Sequence, residues 1–186
     1  KILDQSYRIP GGPIHELSQK IINKVQNRFA KEYKPREEIG LLKRYSDITQ
    51  VDMSTGNWLV LSSANYFLED AKDLCEIQGW YYQYKGMNSV SLKLLLALNN
   101  WEHWRKGDLL NYLEIKNIYE YLGSHVSPGF QKGKTLHSDQ KYLIKDCKEK
   151  HGLLTENVWY EAFDGLDPMT ETYIRNMRAN GEMINK

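Results

Sequence analysis

Trp58-Leu59-Val60-Leu61 is a short, uninterrupted apolar run, bounded upstream by a polar loop from Asp47 to Gly56 and downstream by Ser62-Ser63-Ala64-Asn65. A strand with one wet face alternates apolar and polar residues. A run that is apolar on both sides fits a strand covered on both faces, as in a parallel sheet. Parallel strands need crossovers, usually helical, and the next residues offer one. Asn65 suits an N-cap, Phe67, Leu68, Ala71, Leu74, Cys75 and Gln78 follow at helical spacing, and Gly79 suits a stop at C′. Trp80-Tyr81-Tyr82-Gln83-Tyr84, rich in aromatic residues, then reads as a strand. Strand, helix and strand make a βαβ unit, whose crossover is expected to be right-handed.

The residues before the run fit the same scheme. Ile2 and Leu3 read as the end of a strand, Gly11-Gly12 as a turn, and Pro13 as the first residue of a helix. Ile14, Leu17, Ile21, Val25 and Phe29 form its apolar stripe, widened by Ile22. Lys31 to Glu38 is charged, contains Pro35 and reads as a connection, and Ile39 to Tyr45 reads as a strand.

After Gly86 the texture changes. Val90, Leu92, Leu94, Leu95, Leu96, Leu98, Trp101 and Trp104 make a helix apolar over most of its circumference, as buried helices are. Leu110 to Leu122, closed by Gly123, reads as a second helix. A third is capped by Ser138-Asp139 and carries Tyr142, Leu143, Ile144 and Cys147. A shorter one spans Val158 to Phe163, and the last opens with Asp167 as N-cap and Pro168 at its first position. The expectation is therefore an α/β part over residues 1–86, a partial parallel sheet with flanking helices, followed by an all-α helical subdomain over residues 87–186.

The totals narrow the function classes. Charge is nearly balanced, with a formal net of +1, so contact with nucleic acid must come from a local patch or from a partner domain. No apolar run is long enough for a membrane span. The two cysteines, Cys75 and Cys147, lie far apart without CxxC spacing, which favours buried thiols in a reducing cytoplasm over a disulfide. The five histidines are scattered, with no helical zinc spacing. Gly129-Phe130-Gln131-Lys132-Gly133-Lys134-Thr135 ends like a Walker A loop but has three residues between its glycines where four are required, and it follows a helix rather than a strand. It reads as a basic loop. Trp101, Trp104 and Trp159 read as core rather than as stacking platforms for bases.

Gln5-Ser6-Tyr7-Arg8-Ile9-Pro10 places a polar group, an aromatic ring and a guanidinium on the turn between the first strand and the first helix. A ring can stack on a base, and a guanidinium can hold a phosphate oxygen. Leu3-x-Gln5-Ser6-Tyr7-Arg8, followed by Ile14 and by Ser18 at a small position, resembles motif IV of superfamily 1 DNA helicases of the UvrD/Rep type. The likeness is strongest over the first thirty or so residues and extends weakly to about Lys85. It implies a RecA-like fold for the first part and an inserted helical subdomain for the second. It further implies adenine stacking by Tyr7, γ-phosphate contact by Arg8 as the catalytic arginine, and an accessory role for Gln5 in ATP binding. The strand-turn-helix around Leu68-Glu69 resembles the family segment that faces single-stranded DNA, which implies DNA contacts by Ser63 and Asn65, although the arginine common at that strand end is absent.

On this resemblance the chain is expected to be a piece of a cytoplasmic ATP-dependent helicase. It would work with ATP and Mg2+, single-stranded or partly duplex DNA and a first RecA-like domain lying outside the sequence, with no membrane partner. The sequence contains no Walker A lysine, Walker B acid, motif V or motif VI, so the piece alone is expected to carry no resident cofactor, to bind nucleotide only weakly and to turn over no ATP. Two alternatives remain open: a helicase-like subunit of an ATP-dependent nuclease, and a non-enzymatic helical interaction module.

Overall fold

A computed structural model describes residues 5–27 and 33–181. Among them it shows mixed α/β structure, with seven α-helices and three two-stranded sheets. Ile2, Leu3 and Phe29 lie outside the described residues. The chain divides into two compact units, Lys1–Val51 and Asp52–Lys186. The change of sequence texture at Gly86 falls inside the second.

In the first unit, β1 (Gln5–Gly11), α1 (Pro13–Ile22) and β2 (Lys34–Ile39) form one parallel βαβ unit. Gly12 turns the chain at φ 68° and ψ −141°, a conformation open to glycine because it has no Cβ, and Pro13 opens α1 as expected. The helix is shorter than its stripe. It stops at Ile22, and Asn27 follows in the left-handed region with φ 57°. None of its residues is buried, so no packing extends it against the weak helix preference of the asparagines.

The second strand also lies earlier than expected, since the pairing is made by Lys34–Ile39 and not by Ile39 to Tyr45. The Gln5 side-chain amide donates to the carbonyls of Lys34 (3.3 Å) and Pro35 (3.0 Å), and the Gly40 N–H reaches the Gly11 carbonyl at 3.1 Å. These bonds fix the ladder on a charged segment that strand propensity disfavours.

In the second unit, Trp58–Leu61 is not a strand. It has no ladder partner among the described residues, and Leu59 and Leu61 are each 81% exposed. The expected neighbour is occupied elsewhere: only Gln83–Tyr84 is extended (β3), and it pairs antiparallel with Met87–Asn88 (β4). Lys85 and Gly86, at φ 50° and 78°, form the tight turn with two positive φ angles that suits a two-residue hairpin. A local hairpin closes at lower entropic cost than a parallel pairing across a helix. The second βαβ unit is therefore absent, and Gly86 is a turn residue.

Helix α2 (Glu69–Gln78) begins after a 3-10 turn, Asn65–Leu68. Asn65 is the first residue of that turn and not a cap, because the cap position is held by Ala64. Gly79, at φ 69°, ends α2. Trp80 N–H bonds the Cys75 carbonyl at 2.8 Å and Gly79 N–H the Glu76 carbonyl at 3.3 Å, the paired closure of a Schellman motif. The end of α2 lies against α7 (Pro168–Ala179), where the Asn176 amide donates to the Ile77 carbonyl at 3.0 Å.

The core runs from Val90 to Met177. Helix α3 (Leu92–Arg105) crosses it and buries Leu94, Leu95, Ala97, Leu98, Trp101 and Trp104. Both tryptophans are fully buried, with indole N–H groups donating to the carbonyls of Asn157 and Tyr142, each at 3.0 Å. Their rings meet edge to face at 6.0 Å, and Phe163 meets Trp101 at the same distance. The same core takes Ile115 from α4 (Tyr112–Tyr119), Cys147 from α5 (Ile144–Lys150), Trp159 from α6 (Trp159–Ala162) and Met177 from α7.

The expected all-α half also contains a short antiparallel pair, β5 (Leu110–Asn111) with β6 (Lys141–Tyr142). That pairing uses the residues read as the start of the third helix. Helix α5 therefore begins at Ile144 rather than behind Ser138-Asp139, with the Asp146 carboxylate accepting the Leu143 N–H at 3.0 Å. Asp167 caps α7 as expected, accepting from Met169 N–H at 3.1 Å and Thr170 N–H at 2.9 Å.

Candidate functional site

Gln5, Tyr7 and Arg8 lie within β1, not on the turn between a strand and a helix. The register explains how they are displayed. Gln5 pairs with Lys34 and Pro10 with Arg36, so the four residues 6–9 stand opposite Pro35 alone. Two prolines contribute to this arrangement, since neither Pro10 nor Pro35 has an N–H to give to a ladder. The surplus residues make an extended bulge in β1. It is closed from within by the Ser6 hydroxyl, whose Oγ accepts the Ile9 N–H at 3.1 Å, a local side-chain bond of the kind that competes with regular pairing. At its base the Gln5 amide holds the carbonyls of β2.

Tyr7 and Arg8 are the two middle residues of this bulge, and both are exposed, Tyr7 to 79%. Consecutive residues on a regular strand point to opposite faces; a bulge suspends that alternation. No described residue forms an ion pair with Arg8. Arg36, across from Pro10, is instead held by Glu38 at 2.7 Å. The bulge thus carries an exposed ring and an exposed guanidinium at adjacent positions on a tied backbone, just ahead of the Gly12-Pro13 helix start. Ser6 is the residue whose part sequence reading missed. Its signal was a serine three residues ahead of an apolar N–H donor, inside a segment that ends in proline.

Ser63 and Asn65 belong to the second unit. Ser63 lies on an exposed bend and Asn65 opens the 3-10 turn. Exposed Tyr66 and Phe67 follow, with ring centroids 4.0 Å apart. No charged residue occurs between Asp52 and Glu69, so this turn offers a hydroxyl and an amide but no cation.

The other motifs resolve as follows. The Gly129–Thr135 loop contains a 3-10 turn, Gln131–Gly133, with no strand before it and no helix directly after, and the Thr135 hydroxyl lies 2.9 Å from His151 Nδ1. Trp101, Trp104 and Trp159 are buried in the core. Cys147 is buried and Cys75 half-buried, and both are free thiols. Burial pushes the Cys147 thiol up to about 12, leaving it unreactive at neutral pH. No group of three potential metal ligands occurs among the described residues. Nor is any helix among them long and apolar enough to cross a membrane. Comparison with family models, with curated proteins and with solved structures returned no match.

Proposed function

We propose that the chain is part of an ATP-dependent DNA helicase or translocase of the UvrD/Rep type. It would contribute the motif IV portion of a second RecA-like domain, with residues 87–186, mostly helical among those described, as an inserted accessory subdomain. One observation carries the reading: the bulge that presents Tyr7 and Arg8 together, tied by Ser6 and Gln5 and followed by a glycine-proline helix start. Tyr7 would cover the adenine. Arg8, a guanidinium with no competing carboxylate among the described residues, would approach the γ-phosphate and stabilise charge that builds during phosphoryl transfer. Mg2+, when bound, neutralises phosphate charge in such sites. No cluster of three potential ligands occurs among the described residues, and the Mg2+ ligands would come from the partner RecA-like domain. Ser63 and Asn65 would touch single-stranded DNA through neutral hydrogen bonds.

The test is an ATP titration of this chain followed by backbone amide shifts. Perturbations at millimolar ATP centred on residues 5–12, and lost in Tyr7→Ala, are expected. Shifts absent from the bulge, or unaffected by that substitution, would sink the reading.

A further inference from the structure

A groove of about 840 Å3 opens in the second unit, within the size range of small-molecule sites. Helix α2 gives it Ala71 and Cys75, and α3 gives it Leu92, Leu95 and Leu96. Leu92 and Leu96 stand one helical turn apart and are 56% and 53% exposed. Trp80, Tyr82 and Tyr84 form an aromatic wall, and Trp58 also lines the space.

Lys72 is the single charged side chain in the lining. Its ammonium lies 5.0 Å from the centre of the Tyr84 ring and 2.6 Å from the Glu69 carboxylate. An ammonium has three N–H donors, so this exposed pair leaves capacity for another acceptor. Two further lining groups, Cys75 and Tyr82, are held in their neutral forms. Burial raises the Cys75 thiol, and burial together with the hydrogen bond to Glu76 at 2.8 Å raises the Tyr82 phenol.

A groove with flat apolar walls and one cation selects against the two obvious macromolecules. A nucleic-acid strand brings a row of phosphates that one lysine cannot neutralise, and a basic peptide would meet Lys72 directly. We infer that the groove is a binding site for a small, flat aromatic anion, an aryl carboxylate or sulfonate. Its ring would lie between the aromatic wall and Leu92 and Leu96, and its charge would sit at Lys72. This inference stands independently of the helicase reading, because it uses none of the bulge residues.

The test uses the whole chain with two dyes, 8-anilinonaphthalene-1-sulfonate and its uncharged analogue N-phenyl-1-naphthylamine. Saturable binding of both is expected, with energy transfer from tryptophan. Leu96→Glu, at an exposed position, is expected to weaken both dyes, the sulfonate about tenfold or more. Lys72→Gln is expected to weaken the sulfonate roughly tenfold, the scale of one charge-assisted hydrogen bond, and to leave the neutral dye unchanged. Trp58→Ala provides a second lining variant should Leu96→Glu fail to fold by circular dichroism. Non-saturable dye binding, equal affinity in parent and lining variants, equal losses of both dyes in Lys72→Gln, or displacement of the sulfonate by a thymidine oligonucleotide would each overturn the inference.

Discussion

Ser6 Oγ accepts the backbone N–H of Ile9 at 3.1 Å and so closes the bulge whose two middle residues are Tyr7 and Arg8. The bond sits at a break in the ladder, where the sheet itself does nothing to hold the chain. Ser6→Ala should therefore loosen the bulge without unfolding the molecule. One intramolecular hydrogen bond contributes about 0.5–1.5 kcal/mol, so amide exchange at Ile9 should accelerate roughly two- to tenfold while the core amides of α3 stay unchanged. Equal protection of Ile9 in parent and variant would mean that the hydroxyl is not the closure.

Arg8 and Tyr7 should separate in kinetics if they contact a nucleotide. In the proposed helicase, assembled with a first RecA-like domain, Arg8→Ala would remove charge stabilisation needed mainly in the transition state. Turnover should drop by about a hundred- to thousandfold, the cost of one electrostatic donor at about 2.7–4 kcal/mol. Tyr7→Ala should raise KM for ATP instead, because stacking acts in ground and transition states alike. Both residues are exposed, so the melting temperature should stay within a few degrees. An Arg8→Ala protein that loses its fold, with turnover per folded molecule intact, would make the arginine structural.

What could be read in the sequence was local chemistry. Pro13 opening α1, Asp167 capping α7, Gly79 ending α2 and the buried tryptophans of α3 each depend on a residue and its near neighbours. Strands were not legible in that way. Trp58–Leu61 has the composition of a buried strand but no partner among the described residues, whereas Lys34–Ile39 looks like a charged linker and becomes β2, with Gln5 reaching its carbonyls. The Tyr7-Arg8 pair was legible as residues. Its bulge was not, since a bulge is a property of register between two strands.

The core should respond very differently from the exposed apolar run. Trp104 is fully buried and donates its indole N–H to the Tyr142 carbonyl. Trp104→Ala should cost about 3–5 kcal/mol through lost burial and a cavity, a large share of a small domain's stability. Leu59→Ala, at an 81% exposed position, should change stability by no more than about 0.5 kcal/mol. Urea titrations of both variants would check the contrast; comparable losses would show that Trp58–Leu61 is buried in solution.

His151 should make the second unit sensitive to acid. Its Nδ1 lies 2.9 Å from the Thr135 hydroxyl and its ring meets Tyr142 edge-on at 5.0 Å. Burial, then His137 and Lys150, hold its pKa below the ordinary 6.5, with Asp146 opposing. A histidine with a lowered folded pKa takes up its proton first in the unfolded chain. Stability is therefore complete above about pH 6.5 and is lost as pH falls from there toward the folded pKa. His151→Gln should flatten that part of the profile in denaturant midpoints measured between pH 7.5 and 5. A profile unchanged by the substitution would assign the acid sensitivity to other groups.

Gly79 and Gly86 share a left-handed backbone, at φ 69° and 78°, yet they should tolerate substitution very differently. At Gly86, on the β3–β4 hairpin turn, an added Cβ would meet nothing within 4 Å. At Gly79 it would lie 2.3 Å from the carbonyl carbon of Asn176 and 2.5 Å from the Met177 nitrogen, both backbone atoms of α7. Asparagine accepts the left-handed region better than most residues, so substituting it at both sites holds the conformational cost nearly constant and isolates the contact. Gly86→Asn should cost less than about 1 kcal/mol. Gly79→Asn must move α7 or unwind the end of α2, and with them the Asn176 bond to the Ile77 carbonyl, so a loss of about 2–4 kcal/mol is expected, in the range of overpacking combined with a broken hydrogen bond. Equal thermal shifts for the two variants would show that α2 and α7 do not approach as closely as Gly79 requires.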